Sequence, residues 1–294
     1  MKTLPYTYLG PIGTTFSAVA WKHFVKLFGA PDGDEVNCLP AVANGDILKR
    51  VMSHHGYGAV AITTKCRGKL RESLDPYADL LLHYSSNDEC PFTVIGAVNL
   101  KLNFCLMAKS TASITSLKGV LSHEVGLAAC KKYIKKHGLE EIKMQTNGLA
   151  ARAIASEEKY SQFAALGPCE AAEIYDLNIL EENVQDKEAF TLFTLVGPKQ
   201  HKIIHAENNL AIVVFNIPNS PNSLTHVLSL FGSPGLNLSY IHLTHIEDSE
   251  RYNFLITMEV HRDQIPDFNL AIQLLGEQVT RKFLTFGPFP VIQK

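Results

Sequence analysis

The chain has 294 residues, of which 46% are hydrophobic, and a formal net charge of −2. That length allows two or three compact units with ordinary hydrophobic cores. The near-neutral charge argues against a general attraction to nucleic acid or to an anionic membrane, and no apolar run reaches the roughly 18 residues of a spanning helix. Because the N-terminus passes at once into a strand-like segment, we expect no signal peptide and a cytoplasmic protein.

Cysteine and histidine form no recognisable disulfide or metal pattern. The six cysteines are scattered without a C-x-x-C pair, so we expect reduced, mostly buried thiols. His54 with His55, and His242 with His245, lack a nearby carboxylate or cysteine at zinc-site spacing. We therefore expect no metal site.

The first predicted unit is a strand at 6–9 followed by an amphipathic helix at 16–28. The turn between them leaves backbone N–H groups and the positive end of the helix dipole available to an anion. It is not a dinucleotide fingerprint, because G-x-G-x-x-G is absent. The candidate binding residues of this turn are Gly10, Pro11, Gly13, Thr14 and Thr15.

The second unit combines a helix at 44–52, for which Asn44 is a plausible cap, with a buried strand at 57–62. The segment after this strand carries two cations at its C-terminal end, where they could pair with a substrate carboxylate. A solvated basic turn is the alternative. The candidate residues are Thr63, Thr64, Lys65 and Arg67.

A segment at 98–107 alternates at period two and predicts a strand that crosses to a second lobe. Farther on, Ser122 and His123 precede a helix at 125–136, and Thr146 and Asn147 precede a helix at 149–155. Helix N-termini favour anions, although a helix cap or a packed ring is the alternative for His123. Because each unit places hydroxyls and amides at the C-terminal end of a strand, we expect a cleft between two α/β lobes.

The last unit of this region is a buried strand at 164–166, a Gly-Pro turn and an Ala-rich helix at 169–175. A polar loop then leads into a strand at 190–196 that begins with Phe190, Thr191, Leu192 and Phe193. A hydroxyl at the start of such a strand can lie at the mouth of a cleft. The alternative is that Thr191 is a strand-edge residue with no chemical role.

The pattern changes after a polar linker at 197–207. It then predicts strands at 210–216, 236–246, 253–261 and 280–286, with helices at 223–231 and 265–275. This βαββαβ order makes an antiparallel sheet with two helices on one side.

Several segments resemble the prephenate dehydratase family. The chain reads A-A-E-I-Y-D-L and E-N-V-Q-D where the family has A-A-E-I-Y-G-L and E-N-x-Q-D. Its first turn resembles G-P-x-G-T-F-S, residues 61–75 resemble P-I-E-N-S-x-x-G-x-x-x-E-T-L-D, and residues 122–130 resemble S-H-P-Q-A-L-A-Q-C. The resemblance implies a bilobal, periplasmic-binding-protein-like catalytic domain at 1–200, followed by an ACT (ferredoxin-like) domain at 208–294. Lobe one would comprise about 1–105 plus 188–198, and lobe two about 106–187.

The chain departs from the family at several places, the first of them Thr15, where the family usually has an aromatic residue. The family's Glu-Asn-Ser is replaced at 63–65, and the Arg of Thr-Arg-Phe is replaced at 192, whereas the flanking Thr and Phe are kept. The C-terminal unit keeps a G-I-N-L-like turn but lacks the Glu-Ser-Arg-Pro effector motif at 241–245. ACT-like modules commonly pair between chains, so we expect a homodimer or homotetramer. The candidate regulatory residues are Gly235, Leu236, Asn237 and Leu238.

The resemblance implies prephenate, a ring acid with two carboxylates, as the substrate, and no cofactor. A dehydratase expels CO2 and water and must assist departure of the hydroxyl, whereas a non-aromatising decarboxylase loses only CO2. The altered segments resemble the decarboxylase branch of the family, which belongs to antibiotic and dihydro-aromatic amino acid pathways. The main interpretation is therefore a prephenate decarboxylase, and its catalytic candidates are Thr191 and Lys65. A prephenate dehydratase is the alternative, and a catalytically degenerate regulatory homologue that binds a small anion is the second alternative.

Overall fold

The computed structural model describes residues 4–31, 37–64, 68–69, 71–109, 112–201, 203–245 and 251–294. Its helices are α1 (Phe16–Phe28), α2 (Gly45–His54), α3 (Arg71–His83), α4 (Glu124–Ala129), α5 (Lys131–Lys136), α6 (Asn147–Ser156), α7 (Glu170–Tyr175), α8 (Ser223–Gly232) and α9 (Ile265–Gln278). Its strands are β1 (Tyr6–Thr7), β2 (Tyr57–Thr64), β3 (Gly68–Lys69), β4 (Phe92–Lys101), β5 (Cys105–Ala108), β6 (Gly119–Ser122), β7 (Glu140–Lys143), β8 (Phe163–Gly167), β9 (Asn178–Glu181), β10 (Phe190–Pro198), β11 (Asn208–Pro218), β12 (Asn237–His245), β13 (Arg251–His261) and β14 (Phe283–Gln293).

These strands form two sheets within the described residues. The larger has the order β1-β2-β10-β4-β14-β11-β13-β12, with β3 on β2, and the smaller has the order β7-β6-β8-β5-β9. Strand β14 pairs with β11 over most of its length, and its last residues, 291–293, pair in parallel with β4. Lobe one and the C-terminal βαββαβ unit therefore share one continuous sheet, while lobe two has its own. The predicted fold class, a bilobal α/β domain followed by an ACT-like unit, is confirmed.

Hydrophobic clusters connect these units. One cluster runs through both lobes and contains Trp21 and Phe24 of α1 together with Leu166 of β8. A second joins lobe one to the C-terminal unit, where Tyr77 of α3 lies edge-on to Phe286 with ring centroids 5.7 Å apart. The C-terminal unit is thus packed on lobe one through a buried apolar interface as well as through the sheet.

The chain crosses twice between the lobes, and the two crossovers run side by side. The Leu102 N–H donates to the Ala189 carbonyl at 2.8 Å. The Phe104 N–H donates to Oε1 of Gln185 at 2.9 Å, and the Asp186 carboxylate accepts two N–H groups at the start of α5 at 2.8 and 3.2 Å. The family-like E-N-V-Q-D segment therefore serves to hold the crossovers and a helix N-terminus in place.

Three sequence-based expectations need correction. The predicted strand at 98–107 is two strands, because the chain leaves the first sheet after Lys101 and enters the second at Cys105. The loop predicted after the Ala-rich helix contains β9, which pairs with β5. A disulfide joins Cys105 to Cys169, so the expectation of reduced thiols is wrong for this pair. Antiparallel pairing places Cys105 of β5 opposite Gly167 of β8, two residues before Cys169, and the Cα atoms of the two cysteines are 5.4 Å apart, which suits a disulfide. Their sequence separation of 64 conceals this proximity in the sequence.

Within the described part of the chain, no helix is both long enough and apolar enough to cross a membrane. The predicted limits of the two domains remain predictions.

Candidate active site

A cavity of about 70 Å³ lies between the two lobes. Residues from both lobes and from the crossover surround it, so it occupies the position at which the sequence predicts a cleft. Its lining residues are Leu9, Thr15, Phe16, Ser17, Asn44, Ala61, Thr64, Leu102, Phe104, His123, Val125, Gly126, Asn147, Thr191 and Phe193.

Two threonine hydroxyls form the polar part of the wall that lobe one contributes. Strands β2 and β10 are antiparallel neighbours, and their register places Thr191 opposite Thr64. The two Oγ1 atoms are 3.0 Å apart, and the residues are only 4% and 2% exposed. Opposed residues on adjacent strands share a face of the sheet, so this pair presents both hydroxyls to the same cavity.

Three helices of at least ten residues begin at the cavity: α1, α2 and α6. The lining residues Ser17, Asn44 and Asn147 lie in their first turns or at the cap. Each helix N-terminus carries about half a positive charge and unpaired N–H groups. The convergence of three such ends favours an anion, although the described lining contains no lysine or arginine.

His123 is the only titratable side chain among the described residues that line the cavity. It precedes α4, and its Nδ1 accepts the N–H of Val125 at 3.3 Å. The helix-cap alternative for this histidine is therefore supported, and the ring still lies against the cavity. No group of three or more potential ligands among the described residues is arranged to hold a metal ion.

The structure brings together part of the predicted site. The predicted residues that line the cavity are Thr15, Thr64, His123, Asn147, Thr191 and Phe193. Of these, Thr15 also caps α1, accepting the N–H of Ala18 and donating to the Leu9 carbonyl at 2.6 Å. Asn147 donates to the Ser122 hydroxyl at 3.0 Å and to the Leu166 carbonyl at 2.9 Å.

Several predicted residues support the cavity without lining it, and their direct contact with a substrate remains a prediction. The Ser122 hydroxyl donates to the Leu166 carbonyl at 2.8 Å, and Thr146 caps α6 by accepting the Leu149 N–H at 3.1 Å. In the first turn, the Thr14 hydroxyl donates to the Pro11 carbonyl at 3.1 Å. The Gly10 N–H donates to the Ala41 carbonyl at 2.9 Å, and the Gly13 N–H donates to the Tyr8 hydroxyl at 3.2 Å. Burial raises the pKa of that tyrosine, so Tyr8 stays neutral and keeps this contact.

Thr63 and Leu192 lie on the opposite side of the same strand pair, away from the interlobe cavity, and their contact with a substrate remains a prediction. Both line a cavity of about 730 Å³ between lobe one and the C-terminal unit, together with Leu210, Glu259 and Val291. The reason is that successive side chains of a strand point to opposite faces, so the neighbours of Thr64 and Thr191 must face away from them. Lys65 and Arg67 lie outside the described residues.

The candidate regulatory residues form a structural turn between α8 and β12. Gly235 has a φ of 80°, which glycine adopts readily, and Leu236 is buried in the core of the C-terminal unit. Asn237 donates to Glu259 at 3.3 Å, and Leu238 packs against the same core. Effector binding at these residues remains a prediction.

Sequence reasoning missed most of the apolar lining and one polar residue. Phe16 and Phe104 pack against each other with ring centroids 4.9 Å apart at the cavity, and a lone phenylalanine in a helix or crossover gives no signal of that role. Asn44 precedes α2 as predicted, but its side chain makes no capping hydrogen bond to the helix. It lines the cavity instead.

The two lobes are in contact at the edge of the cavity. A Cβ atom added to Gly148 in α6 would lie 2.1 Å from Oγ1 of Thr14 and 2.7 Å from Cδ of Pro11. On the same turn, a Cβ at Gly13 would lie 2.6 Å from Cδ1 of Ile174 in α7. Small-molecule sites usually enclose about 300–1,000 Å³, so the cavity of about 70 Å³ between the contacting lobes is smaller than such a site.

Comparison with known proteins agrees with this architecture. Residues 6–201 match the family model described as prephenate dehydratase. A prephenate dehydratase of Methanocaldococcus jannaschii is 29% identical over 288 residues, which cover 97% of each chain. An arogenate dehydratase/prephenate dehydratase of Arabidopsis thaliana is 32% identical over 166 residues, covering 55% of this chain and 41% of that protein.

The fold has a solved counterpart. A prephenate dehydratase from Arthrobacter aurescens, in complex with L-Phe, has a TM-score of 0.78 at 22% identity and covers 96% of this chain and 89% of its own. A closed two-lobed α/β domain with an ACT-like unit on the same sheet is thus the class of protein that the fold and the cavity define. The chain belongs to the prephenate dehydratase family.

Proposed function

We propose that this protein is a prephenate dehydratase, the alternative interpretation of its sequence, rather than a non-aromatising decarboxylase. The observation that carries this proposal is the buried pair of hydroxyls on Thr64 and Thr191 at the interlobe cavity. Dehydration requires a hydrogen-bond donor at the departing hydroxyl, and Thr191 supplies one when it accepts the hydrogen bond of Thr64.

The positions at which the chain departs from the family favour the decarboxylase less strongly once their places in the structure are known. Two altered positions, Thr63 and Leu192, line the cavity on the far side of the strand pair. Thr64 and Thr15 are altered positions in the described lining around Thr191, and both keep a hydrogen-bonding side chain there. Val125 and Gly126, also in this lining, replace the Gln and Ala of the family segment. The named relatives, which are dehydratases, support the same choice.

In the proposed reaction, the C–C bond to the ring carboxylate breaks and its electron pair moves through the diene as CO2 leaves. The ring becomes aromatic as the C–O bond at the opposite carbon breaks. The departing hydroxide is hydrogen-bonded by Thr191, takes up one proton from solvent through the Thr64–Thr191 pair and leaves as water. Prephenate dianion plus one proton thus gives phenylpyruvate anion, CO2 and water, without an oxidant or a cofactor.

The helix ends would seat the substrate. The N-termini of α1, α2 and α6 offer partial positive charge to the two carboxylates, and the closed lobes exclude water from the ring. Phe16, Phe104 and Phe193 supply an apolar surface for the diene. Lys65, the other predicted catalytic residue, remains a sequence-based candidate for a carboxylate partner.

The non-aromatising decarboxylase is the second candidate. The same hydroxyl pair favours the decarboxylase if the Thr191 hydroxyl donates its hydrogen bond to Thr64, since either atom of the pair can be the donor. In that arrangement no donor would assist departure of the ring hydroxyl, and loss of CO2 would be followed by protonation of a ring carbon. The products of the two reactions differ, so one assay separates them.

The test is to incubate the pure protein with prephenate and identify the product by NMR and by the alkaline absorbance of phenylpyruvate. We expect phenylpyruvate, and we expect Thr191→Val to lower kcat by about 100-fold or more. A dihydro ring product that keeps its hydroxyl would identify the decarboxylase. Absence of turnover, with thermal stabilisation by an aromatic keto acid, would identify the degenerate anion-binding homologue.

Thr194→Val is the matched control. Thr194 lies on the same strand and is fully buried, and its hydroxyl bonds to Tyr77 at 3.0 Å and to the Val60 carbonyl at 3.2 Å. Its loss leaves the buried Tyr77 hydroxyl short of a partner, which costs about 1–3 kcal/mol of stability. We expect a lower Tm with a kcat within a few-fold of the parent enzyme, because Thr194 does not line the interlobe cavity.

A homodimer or homotetramer formed through the C-terminal unit is also proposed. Strand β12 is at one end of the larger sheet, and Ile241 and Leu243 on it are 43% and 48% exposed. Edge strands with exposed apolar side chains are suited to pairing with another chain. A cytoplasmic location remains a prediction from the sequence.

A further inference from the structure

Asn44 carries an unexplained polar atom at the interlobe cavity. Its Oδ1 is buried and has no hydrogen-bond partner among the described residues, while the residue lines the same cavity as Thr64 and Thr191. Almost all buried side-chain polar atoms in folded proteins have a partner, because burial without one costs free energy. This oxygen therefore needs a structural or a functional explanation.

Helix capping does not explain it. An N-terminal cap residue normally has an extended backbone, and its side chain accepts an N–H from the first turn. Asn44 has a helical backbone with φ −58° and ψ −38°, and its side chain makes no capping bond. Its contribution to the helix is made through its backbone carbonyl, which accepts the Ile47 N–H at 3.2 Å. Any residue at this position could make that backbone contact.

The neighbouring polar groups do not supply the missing donor. No described group donates a hydrogen bond to Asn44 Oδ1. The Thr15 hydroxyl donates to the Leu9 carbonyl, and one hydroxyl of the Thr64–Thr191 pair donates to the other, which leaves that pair the single O–H proposed to assist the departing hydroxyl. The Asn147 amide donates to Ser122 and to the Leu166 carbonyl. A donor for Asn44 is therefore expected to come from a molecule that enters the cavity.

The chemistry of the proposed substrate limits which group that is. At neutral pH prephenate presents two carboxylates and a keto oxygen, all acceptors, and a single donor, the ring hydroxyl. We propose that Asn44 is a substrate-contacting residue whose carboxamide oxygen accepts the hydrogen bond of this hydroxyl. The inference rests on the proposed function, since it takes prephenate as the substrate.

This contact would orient the leaving group. With its hydrogen held by Asn44, the hydroxyl oxygen turns its lone pairs toward Thr191, the donor proposed to assist its departure. A site that holds a buried acceptor for a substrate hydroxyl also discriminates against analogues that lack the hydroxyl, because the acceptor is then left without a partner. Asn44 would accordingly determine specificity as well as orientation.

The test combines activity with stability. Asn44→Leu is nearly isosteric and removes the unpartnered oxygen, so we expect kcat/KM for prephenate to fall about 10- to 100-fold while Tm stays the same or rises. Asn44→Asp keeps an acceptor oxygen but adds negative charge beside a dianion. For this variant we expect a larger rise in KM than fall in kcat.

Thr285→Val is the matched control, because Thr285 in β14 carries the other buried, unpartnered side-chain oxygen among the described residues and does not line the interlobe cavity. We expect its Tm to be unchanged or higher and its kcat/KM to be unchanged.

Wild-type kcat/KM in Asn44→Leu would overturn the inference and leave the proposed function standing. A lowered Tm in that variant would mean that Asn44 is a structural residue and would also overturn it. If the wild-type protein does not convert prephenate, the proposed function fails, and this inference fails with it.

Discussion

The contact between Gly148 and the first turn of the chain predicts that one methyl group can prevent closure of the lobes. In Gly148→Ala the new Cβ would lie 2.1 Å from Oγ1 of Thr14 and 2.7 Å from Cδ of Pro11, whereas ordinary contacts begin at about 3.4 Å. Thr14 is fully buried and its hydroxyl is bonded to the Pro11 carbonyl, so it cannot turn aside freely. The two lobes must therefore separate by at least about 1 Å at this point.

A displacement of that size is large for catalysis. A misplacement of about 1 Å can cost about 100-fold in rate, equivalent to about 2.7 kcal/mol of transition-state stabilisation. We therefore expect Gly148→Ala to lower kcat/KM for prephenate by about 100-fold. Because alanine favours the helix by about 1 kcal/mol over glycine and the open state relieves the clash, we expect Tm to fall little or not at all.

Steady-state kinetics and small-angle scattering with and without product check this prediction. The variant should keep an open form at product concentrations that close the wild-type protein. Gly232→Ala is the control, since it also lies in a helix and its Cβ would meet nothing within 4 Å. Thr14→Ala added to Gly148→Ala removes the nearest atom but leaves Pro11, so it should restore only part of the activity. Wild-type kcat/KM in Gly148→Ala would refute the idea that catalysis needs the lobes in contact.

Three further changes test other parts of the structure. Leu192→Arg restores the family residue. Because this side chain faces the cavity beside the C-terminal unit, kcat/KM should stay within about threefold of the wild-type value. A change of tenfold or more would place this position in the active site. Asp176 ends α7 with a φ of 52°, and the family pattern has glycine at this position. Asp176→Gly should therefore raise the free energy of unfolding, measured by urea titration, by up to about 1 kcal/mol. A decrease would contradict this prediction. Ile241→Lys should shift the protein toward monomer in sedimentation experiments, and an unchanged assembly would show that β12 is not the interface.

The sequence predicts those features of the structure that depend on residues close together in the chain. The Gly-Thr turn before α1 and the segments before α4 and α6 were predicted because helix starts and strand ends depend on neighbouring residues. The pairing of Thr191 with Thr64 was not predicted as a contact, since it depends on the register of two strands separated by 127 residues. The sequence gives no sign of the bond between Cys105 and Cys169 for a similar reason.

The placement of Thr63 and Leu192 away from the interlobe cavity has a different cause. The sequence resemblance placed whole segments at the active site, although adjacent residues of a strand must point to opposite faces. One further residue, Asn44, was recognised at the correct helix end but given a capping role. That role could be rejected only when its hydrogen bonds were known.

The strand pair β2–β10 is a wall shared by two cavities, so the two faces of the pair can change independently. Thr64 and Thr191 line the interlobe cavity, and Thr63 and Leu192 line the cavity beside the C-terminal unit, at whose edge Thr64 also lies. Side chains on the second face can change size and charge without altering the hydroxyl pair on the first, provided that the register of the two strands is kept. The changes at Thr63 and Leu192 are therefore better interpreted as changes in how lobe one meets the C-terminal unit than as changes at the interlobe cavity.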